Sequence, residues 1–183
     1  MILVFFGLTG SGKSTLASAC AARFQALHYN TDRVRKELAG LAATTRRPDG
    51  INTGIYTKEL GARTYKALLE RAEAAIRNSA ALVILDGSYA DAADRAAVRA
   101  KAVELGTEAR FVFCWCSEAK TLRRLALRAR DATAVSDGRP EIYRYQLEHF
   151  AQPTAQESDI LRLNTEAEPE QLLEQLAAAL PLG

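Results

Sequence analysis

Residues 1–15 read MILVFFGLTGSGKST, in which an uncharged apolar run passes directly into a glycine-rich loop. The run Met1–Phe6 predicts a buried strand, and the residues from Thr15 to Ala22 are typical of the opening of a helix. Between them, Gly7–Ser14 match the pattern G-x-x-x-x-G-K-[ST]. A strand, this loop and a helix in that order are the context in which the pattern forms a phosphate-binding P-loop.

The residue types of this loop suit an anion. Gly7, Gly10 and Gly12 allow positive φ angles and a close approach of the backbone to a phosphate. The loop amides and the positive end of the following helix then form a concave site for phosphate oxygens. Lys13 can supply a mobile positive charge to β- and γ-phosphates, and the Ser14 hydroxyl can ligate Mg²⁺. The residues predicted to bind the nucleotide are Gly7, Thr9, Gly10, Ser11, Gly12, Lys13, Ser14, Thr15 and the more distant Arg124.

Length and composition limit the class of protein. A chain of 183 residues with 48% hydrophobic and 25% charged residues fits a single α/β domain over residues 1–183. No uncharged run approaches the roughly 20 residues of a membrane span. The three cysteines, Cys20, Cys114 and Cys116, fit neither a disulfide framework nor the spacing of a zinc site. We therefore expect reduced thiols and a cytoplasmic protein without a membrane partner.

Positive charge is concentrated in two segments, although the net charge is only +2. Residues 31–66 contain eight Lys or Arg against four Asp or Glu, and residues 120–144 contain seven against three. This distribution is expected if both segments face phosphates. It permits a nucleic-acid partner without requiring one.

The rest of the chain alternates strands with helices. Further strands are predicted over residues 26–30, 80–86, 110–115 and 160–163, and helices over 33–39, 58–79, 92–105, 118–130, 140–150 and 169–180. Helix caps are predicted at Thr31 or Asp32, at Thr57, at Ser117 and in a capping box from Ser88 to Asp91. Trp115 is predicted to fill the core with Phe111 and Phe113, and His28 and His149 show no partner at catalytic spacing. The alternation predicts a three-layer α/β/α fold with a five-stranded parallel sheet.

Two carboxylates are predicted to share a crevice with the glycine-rich loop, because ligands bind beyond the carboxyl ends of parallel strands. Asp32 follows the second strand and can act as a general base, position a water molecule, or cap a helix. Arg35 lies three residues later and can share its helix face. Asp86 ends the third strand and can hold Mg²⁺ directly or through water, or orient an acceptor.

An arginine-rich helix is predicted to cover this crevice as part of a lid over about residues 118–140. Arg124 and Arg128 lie four residues apart and therefore on one helix face. Facing the crevice, they can neutralise charge on phosphates, for which arginine is well suited. Arg123 and Arg130 lie on the same helix, and part of the set is expected to be a solvated charged face.

Taken together, these motifs and their order resemble those of the P-loop kinases related to polynucleotide 5′-kinase domains and zeta toxins. The resemblance is greatest to small predicted-kinase ATP-binding domains, some of which occur fused to aminoglycoside phosphotransferase-like domains. It is carried by Gly7–Ser14, by TDRVRKEL (31–38), VILDG (83–87) and LRRLALR (122–128), and by Asp131-Ala132-x-x-x-Ser136-Asp137 leading to Gln146 and Phe150. It implies ATP and Mg²⁺ as cosubstrates, Asp32 as the base for an acceptor hydroxyl, Arg35 near an acceptor phosphate, and Asp86 near the acceptor or the metal.

These observations predict an ATP-dependent phosphotransferase acting on a hydroxyl acceptor, which can be a small metabolite or a nucleic-acid 5′-hydroxyl. The alternative is a P-loop ATPase or nucleotide-dependent regulatory protein without an acceptor. The predicted site residues are Lys13, Asp32, Arg124 and Arg128 for catalysis, Asp32, Arg35 and Asp86 for the acceptor, and Ser14 and Asp86 for the metal.

Overall fold

The computed structural model describes residues 1–47, 49–131 and 133–180. Pro48 of the predicted basic loop, Ala132 of the lid motif and residues 181–183 lie outside the described residues. The strands are β1 (Ile2–Phe6), β2 (Leu27–Asn30), β3 (Val83–Asp86), β4 (Ala109–Trp115) and β5 (Ile160–Asn164). The helices are α1 (Lys13–Phe24), α2 (Thr31–Leu38), α3 (Lys58–Arg77), α4 (Ala92–Glu104), α5 (Glu118–Ala129), α6 (Pro140–His149) and α7 (Pro169–Ala179), with a 3₁₀ turn at Gly54–Tyr56.

The five strands form one parallel sheet in the order β2-β3-β1-β4-β5, which confirms the predicted fold class. β1 is central and fully buried because its side chains alternate between two hydrophobic cores. Leu3 and Phe5 pack with α1 and α7, whereas Val4 and Phe6 pack on the side of α3 and α4. Helices therefore cover both faces, and the loop after β1 opens at the centre of the sheet's carboxyl edge.

Two predicted caps are wrong, and one of them affects the site. Helix α2 begins at Thr31, and Asn30 caps it by accepting hydrogen bonds from the amides of Asp32 (3.0 Å) and Arg33 (3.1 Å). Because Asn30 takes this task, the Asp32 carboxylate is not needed as a cap. The cap of α4 is Asp91, which accepts from the Ala93 amide, and not the predicted box beginning at Ser88.

Other predictions on local structure are mostly confirmed. The Thr57 and Ser117 hydroxyls cap α3 and α5 as expected. The three cysteines are free thiols. Trp115 is the exception, since its side chain is 45% exposed at the last position of β4, beyond the buried part of that strand. Among the described residues, none of the helices has the length and apolar character needed to cross a bilayer.

Candidate active site

The glycine-rich loop has the backbone conformation that its sequence predicts. The φ angles of Gly7, Gly10 and Gly12 are 141°, 80° and 88°. At Gly7, a Cβ atom would lie 2.3 Å from the carbonyl oxygen of Cys114, so that position excludes every side chain. Helix α1 begins after Gly12 without a side-chain cap, which leaves its first amides available to an anion.

Lys13 lies between the two predicted carboxylates. Its Nζ donates to the Leu8 carbonyl at 3.1 Å. Burial lowers the pKa of Lys13, and the charges of Asp86 and Asp32 act in the opposite direction without reversing the shift. A poorly hydrated ammonium group beside an anion-binding loop is suited to a phosphate group, which would stabilise its charge.

A cavity of about 160 Å³, here called the front cavity, brings Lys13, Asp32 and Arg35 together beside the loop. The Arg35 Nη1 donates to the Asp32 Oδ1 at 3.3 Å, and the guanidinium lies 4.9 Å from the centre of the Tyr56 ring. Arg35 is nearly buried, yet its Nε has no hydrogen-bond partner among the described residues. The front cavity therefore contains both a carboxylate and a donor with unmet capacity.

Asp137, which lines the front cavity, belongs to a buried ion pair that the sequence did not predict. Lys36 Nζ lies 3.1 Å from Asp137 Oδ2, and the two side chains are 0% and 3% exposed. Tyr56 donates its hydroxyl to the same carboxylate at 2.7 Å, and burial is the main cause that raises the pKa of Tyr56. Lys36 belongs to a helix rich in charged residues, so its sequence context predicts an exposed cation and does not mark it as buried. Asp137 could have been singled out, since it is the last residue of the motif that begins at Asp131.

The segment between α5 and α6, together with α6 itself, contacts the glycine-rich loop directly. The Thr9 amide donates to the Gln146 Oε1 of α6 at 2.7 Å. Gly138 approaches Thr9 so closely that a Cβ on it would lie 2.1 Å from the Thr9 Oγ1. One wall of the front cavity is therefore formed by Ser136, Asp137, Gly138, Ile142 and Gln146.

Asp86 is fully buried at the end of β3. Its Oδ2 accepts from Asn30 Nδ2 at 2.6 Å and lies 3.5 Å from His28 Nε2, whereas its Oδ1 has no partner among the described residues. Burial acts to raise the pKa of Asp86, but His28, the charge of Lys13 and Asn30 together hold it below its usual value. Pairing of β2 with β3 places His28 opposite Ile84, one diagonal step from Asp86, and His28 Nε2 has no hydrogen-bond partner among the described residues.

Ser14 and Asp86 line a common cavity of about 450 Å³ together with Arg128. A hydroxyl and a buried carboxylate oxygen without a partner are ligands that Mg²⁺ prefers. Among the described residues no group of three or more His, Cys, Asp or Glu could hold a metal ion. This arrangement fits an ion that takes its other ligands from water and phosphates.

Arg124 and Arg128 share the inner face of α5, as predicted. Arg124 donates to the Thr165 hydroxyl at 3.0 Å and to the Thr165 carbonyl at 2.6 Å. It lines a cavity of about 310 Å³ on the outer side of the loop, together with Gly12, Thr15 and Arg128. Arg128 is half-buried, and burial lowers its pKa. Arg123 and Arg130 are exposed, in agreement with a partly solvated face.

The family model described as AAA domain (AAA_33) matches residues 2–153, and the chain belongs to this family. The chain is 34% identical over 98 residues to the uncharacterized protein Rv2004c of Mycobacterium tuberculosis (strain ATCC 25618 / H37Rv). That match covers 54% of this chain and 20% of the relative, so it spans about a fifth of the relative's length.

Solved structures establish the P-loop kinase fold. A sugar kinase from Janibacter sp. HTCC2649 superposes with a TM-score of 0.71 at 18% identity, covering 97% of this chain and 92% of that one. The APS kinase CysC of Mycobacterium tuberculosis, in complex with AMPPNP and APS, superposes with a TM-score of 0.68 at 20% identity over 97% and 95%. The chain therefore has the three-layer fold of P-loop kinases, as predicted.

Proposed function

We propose that the protein is an ATP-dependent phosphotransferase that transfers the γ-phosphoryl group of ATP to a hydroxyl of a small-molecule acceptor. The observation that carries the proposal is the front cavity, where Lys13, Asp32 and Arg35 meet beside the glycine-rich loop. Phosphoryl transfer depends mainly on positioning and on stabilisation of charge, and these three groups can supply both.

The donor would bind along the loop. The amides of Gly7–Gly12 and the start of α1 face the phosphates, and Lys13 neutralises charge on the β- and γ-phosphates. The outer cavity beside Thr15 and Arg124 extends from the same loop and has room for the nucleoside. Arg128 borders both the outer cavity and the cavity of Asp86, from where it can stabilise charge on the transferred group.

Ser14 and Asp86 would hold Mg²⁺, with the ion contributing neutralisation of phosphate charge. The buried Asp86 keeps its carboxylate charged because Lys13, His28 and Asn30 stabilise that form. Asn30 and His28 orient the carboxylate from one side, which leaves the other oxygen available.

Asp32 would take the proton of the acceptor hydroxyl as that oxygen attacks the γ-phosphorus. Arg35 orients this carboxylate through its 3.3 Å contact and can donate a further hydrogen bond, from its unpartnered Nε, to an oxygen of the acceptor. Because Asn30 accepts the hydrogen bonds from the first amides of α2, the Asp32 carboxylate is not occupied by these amides.

A small acceptor fits the cavity better than a nucleic-acid end. The front cavity is about 160 Å³ in volume and is bordered by Ser136–Gly138. Two arginines of the basic segment also have internal tasks: Arg46 donates to carbonyls at the end of α5, and Arg47 pairs with Asp49. A nucleic-acid acceptor would show an acceptor KM that rises steeply with salt, whereas a small metabolite would not.

Within the P-loop kinases we propose the predicted-kinase type that the sequence resembles, some members of which occur fused to aminoglycoside phosphotransferase-like domains. The match to a fifth of Rv2004c supports this proposal. We propose a cytoplasmic location on the basis of the three free thiols.

The proposal is tested by offering γ-labelled ATP and Mg²⁺ to the protein with metabolite pools and, separately, with 5′-hydroxyl oligonucleotides. Lys13→Ala and Asp32→Asn are each expected to lower transfer at least ~100-fold. Glu37→Gln is the matched control for Asp32→Asn, because Glu37 lies on the same helix with an exposed side chain. Near-wild-type transfer by Asp32→Asn would remove Asp32 as the base. Release of free phosphate alone with every acceptor would favour the ATPase or regulatory alternative.

A further inference from the structure

A second groove adjoins the front cavity, and the proposed transfer step does not use it. This groove, here called the aromatic groove, has a volume of about 220 Å³ and is lined mainly by Ile51, Tyr56, Ile142, Tyr145 and His149. Its residues come from the segment before α3, from the loop between β3 and α4, and from one face of α6. Ile51 is 38% exposed and gives the groove an apolar side chain that solvent can reach.

The rings of the groove are held in a fixed arrangement. Tyr145 and His149 lie four residues apart on α6 and stack with their centres 4.1 Å apart at 21°. The His149 Nδ1 is 2.8 Å from the Tyr145 carbonyl oxygen, which orients the imidazole. Across the groove, the Tyr56 ring is held by its hydrogen bond to Asp137. Preorganised rings bind a planar group at little cost in side-chain entropy.

The two cavities lie next to each other. Tyr56, Ser88, Ile142 and Gln146 line both of them. Gln146 also accepts from the Thr9 amide of the glycine-rich loop, so α6 is anchored where the phosphoryl donor would lie. A molecule with its hydroxyl at Asp32 would therefore lie next to the groove.

The volumes and linings of the two cavities suit different parts of a ligand. An apolar protein cavity of about 150 Å³ accommodates benzene, so the groove has room for one aromatic ring. The front cavity, with its charged and hydroxyl-bearing lining, suits a polar head and has no room for a ring in addition. We propose that the phosphoryl acceptor is a two-part small molecule, with a hydroxyl-bearing head in the front cavity and an aromatic ring in the aromatic groove. This inference rests on the proposed function, whose acceptor class it narrows.

The test compares phenyl β-D-glycosides with the corresponding methyl β-D-glycosides of glucose, galactose, xylose and ribose. Binding is measured by saturation-transfer NMR and calorimetry on the full chain in saturating AMPPNP and Mg²⁺. We expect at least one phenyl glycoside to bind ~10-fold or more tightly than its methyl counterpart because of stacking and apolar burial. The phenyl protons should receive the strongest saturation.

Tyr145→Ala and His149→Ala are expected to abolish the preference for the phenyl probe. Trp115→Ala is the matched control, because Trp115 is an exposed aromatic residue outside every cavity described above. AMPPNP binding in each variant reports whether the fold is kept. Equal binding of phenyl and methyl probes, or equal phenyl binding by Tyr145→Ala and Trp115→Ala, would overturn the inference. A polypeptide occupant of the groove would give that same result.

The outcomes separate this inference from the proposed function. Transfer of label to acceptors without any preference for phenyl probes would leave the phosphotransferase intact and remove the aromatic subsite. Specific phenyl binding without transfer to any acceptor would retain the groove as a ligand site and remove the proposed function, and with it the assignment of that ligand as an acceptor.

Discussion

Replacing Lys36 with methionine should strongly destabilise the fold, although Lys36 is not part of the proposed chemistry. Its ammonium group pairs with Asp137 at 3.1 Å and also donates to the carbonyls of Val135 (2.6 Å) and Ala43 (3.3 Å). In Lys36→Met, the Asp137 carboxylate remains buried without its ammonium partner, and it keeps the hydrogen bonds from the Tyr56 hydroxyl and the Arg47 amide. The two carbonyls also lose a donor.

The size of the effect follows from burial. Removing one partner of a buried ion pair costs about 3–5 kcal/mol, because an uncompensated charge remains inside the protein. For a domain of this size, each kcal/mol corresponds to roughly 2–4 °C in Tm. The expected fall in Tm is therefore about 6–20 °C. The double variant Lys36→Met/Asp137→Asn removes both charges, keeps an acceptor for Tyr56, and should recover part of the lost stability.

Urea unfolding followed by circular dichroism at pH 7 measures these free energies. Lys66→Met is the control, since Lys66 is 79% exposed and lies 3.8 Å from Glu70, and its unfolding midpoint should not change measurably. A loss below about 1 kcal/mol in Lys36→Met would place the variant among ordinary surface changes. It would show that Lys36 and Asp137 do not form a buried ion pair and that residues 134–138 are not held against α2 by it.

Three further outcomes follow from the site and its surroundings. Asp86→Asn should raise the Mg²⁺ concentration for half-maximal transfer at least ~10-fold, and an unchanged Mg²⁺ titration would remove it from the metal site. Gly7→Ala should weaken AMPPNP binding in calorimetry at least ~10-fold because its Cβ meets a carbonyl, whereas Gly61→Ala, in open space on α3, should bind like wild type. The pKa of Glu157 is lowered to about 2, mainly by Arg95. Its stabilising effect is present above its ordinary value of 4.5 and is lost as the pH falls towards 2, so Glu157→Gln should flatten the loss of unfolding free energy over that range in urea titrations.

The sequence pattern is insufficient in two situations: where several neighbouring residues could each cap a helix, and where distant segments set the surroundings of a side chain. Asn30, Thr31 and Asp32 can each cap a helix, and only the end of β2 decides that Asn30 does so. Trp115 is a large aromatic residue of the kind that usually fills a core, but it is the last residue of β4 and lies beyond the buried part of the strand. His28 has no partner along the chain, and pairing of β2 with β3 places its Nε2 3.5 Å from the Asp86 carboxylate. For Trp115 and His28 the surroundings that decide the outcome therefore lie outside the local window.

The sequence alone determined the strand–loop–helix of residues 1–24, the order of strands and helices, and the placing of Asp32 and Asp86 at strand ends, because period and backbone geometry are local properties. Tertiary structure alone decided that Lys36 reaches Val135, 99 residues further along the chain. It also decided that Arg35 faces Tyr56, and that α6 lines both the front cavity and the aromatic groove. These contacts depend on how the segment after α5 packs against α2. The sequence does not show whether a charged side chain will meet water or a buried partner.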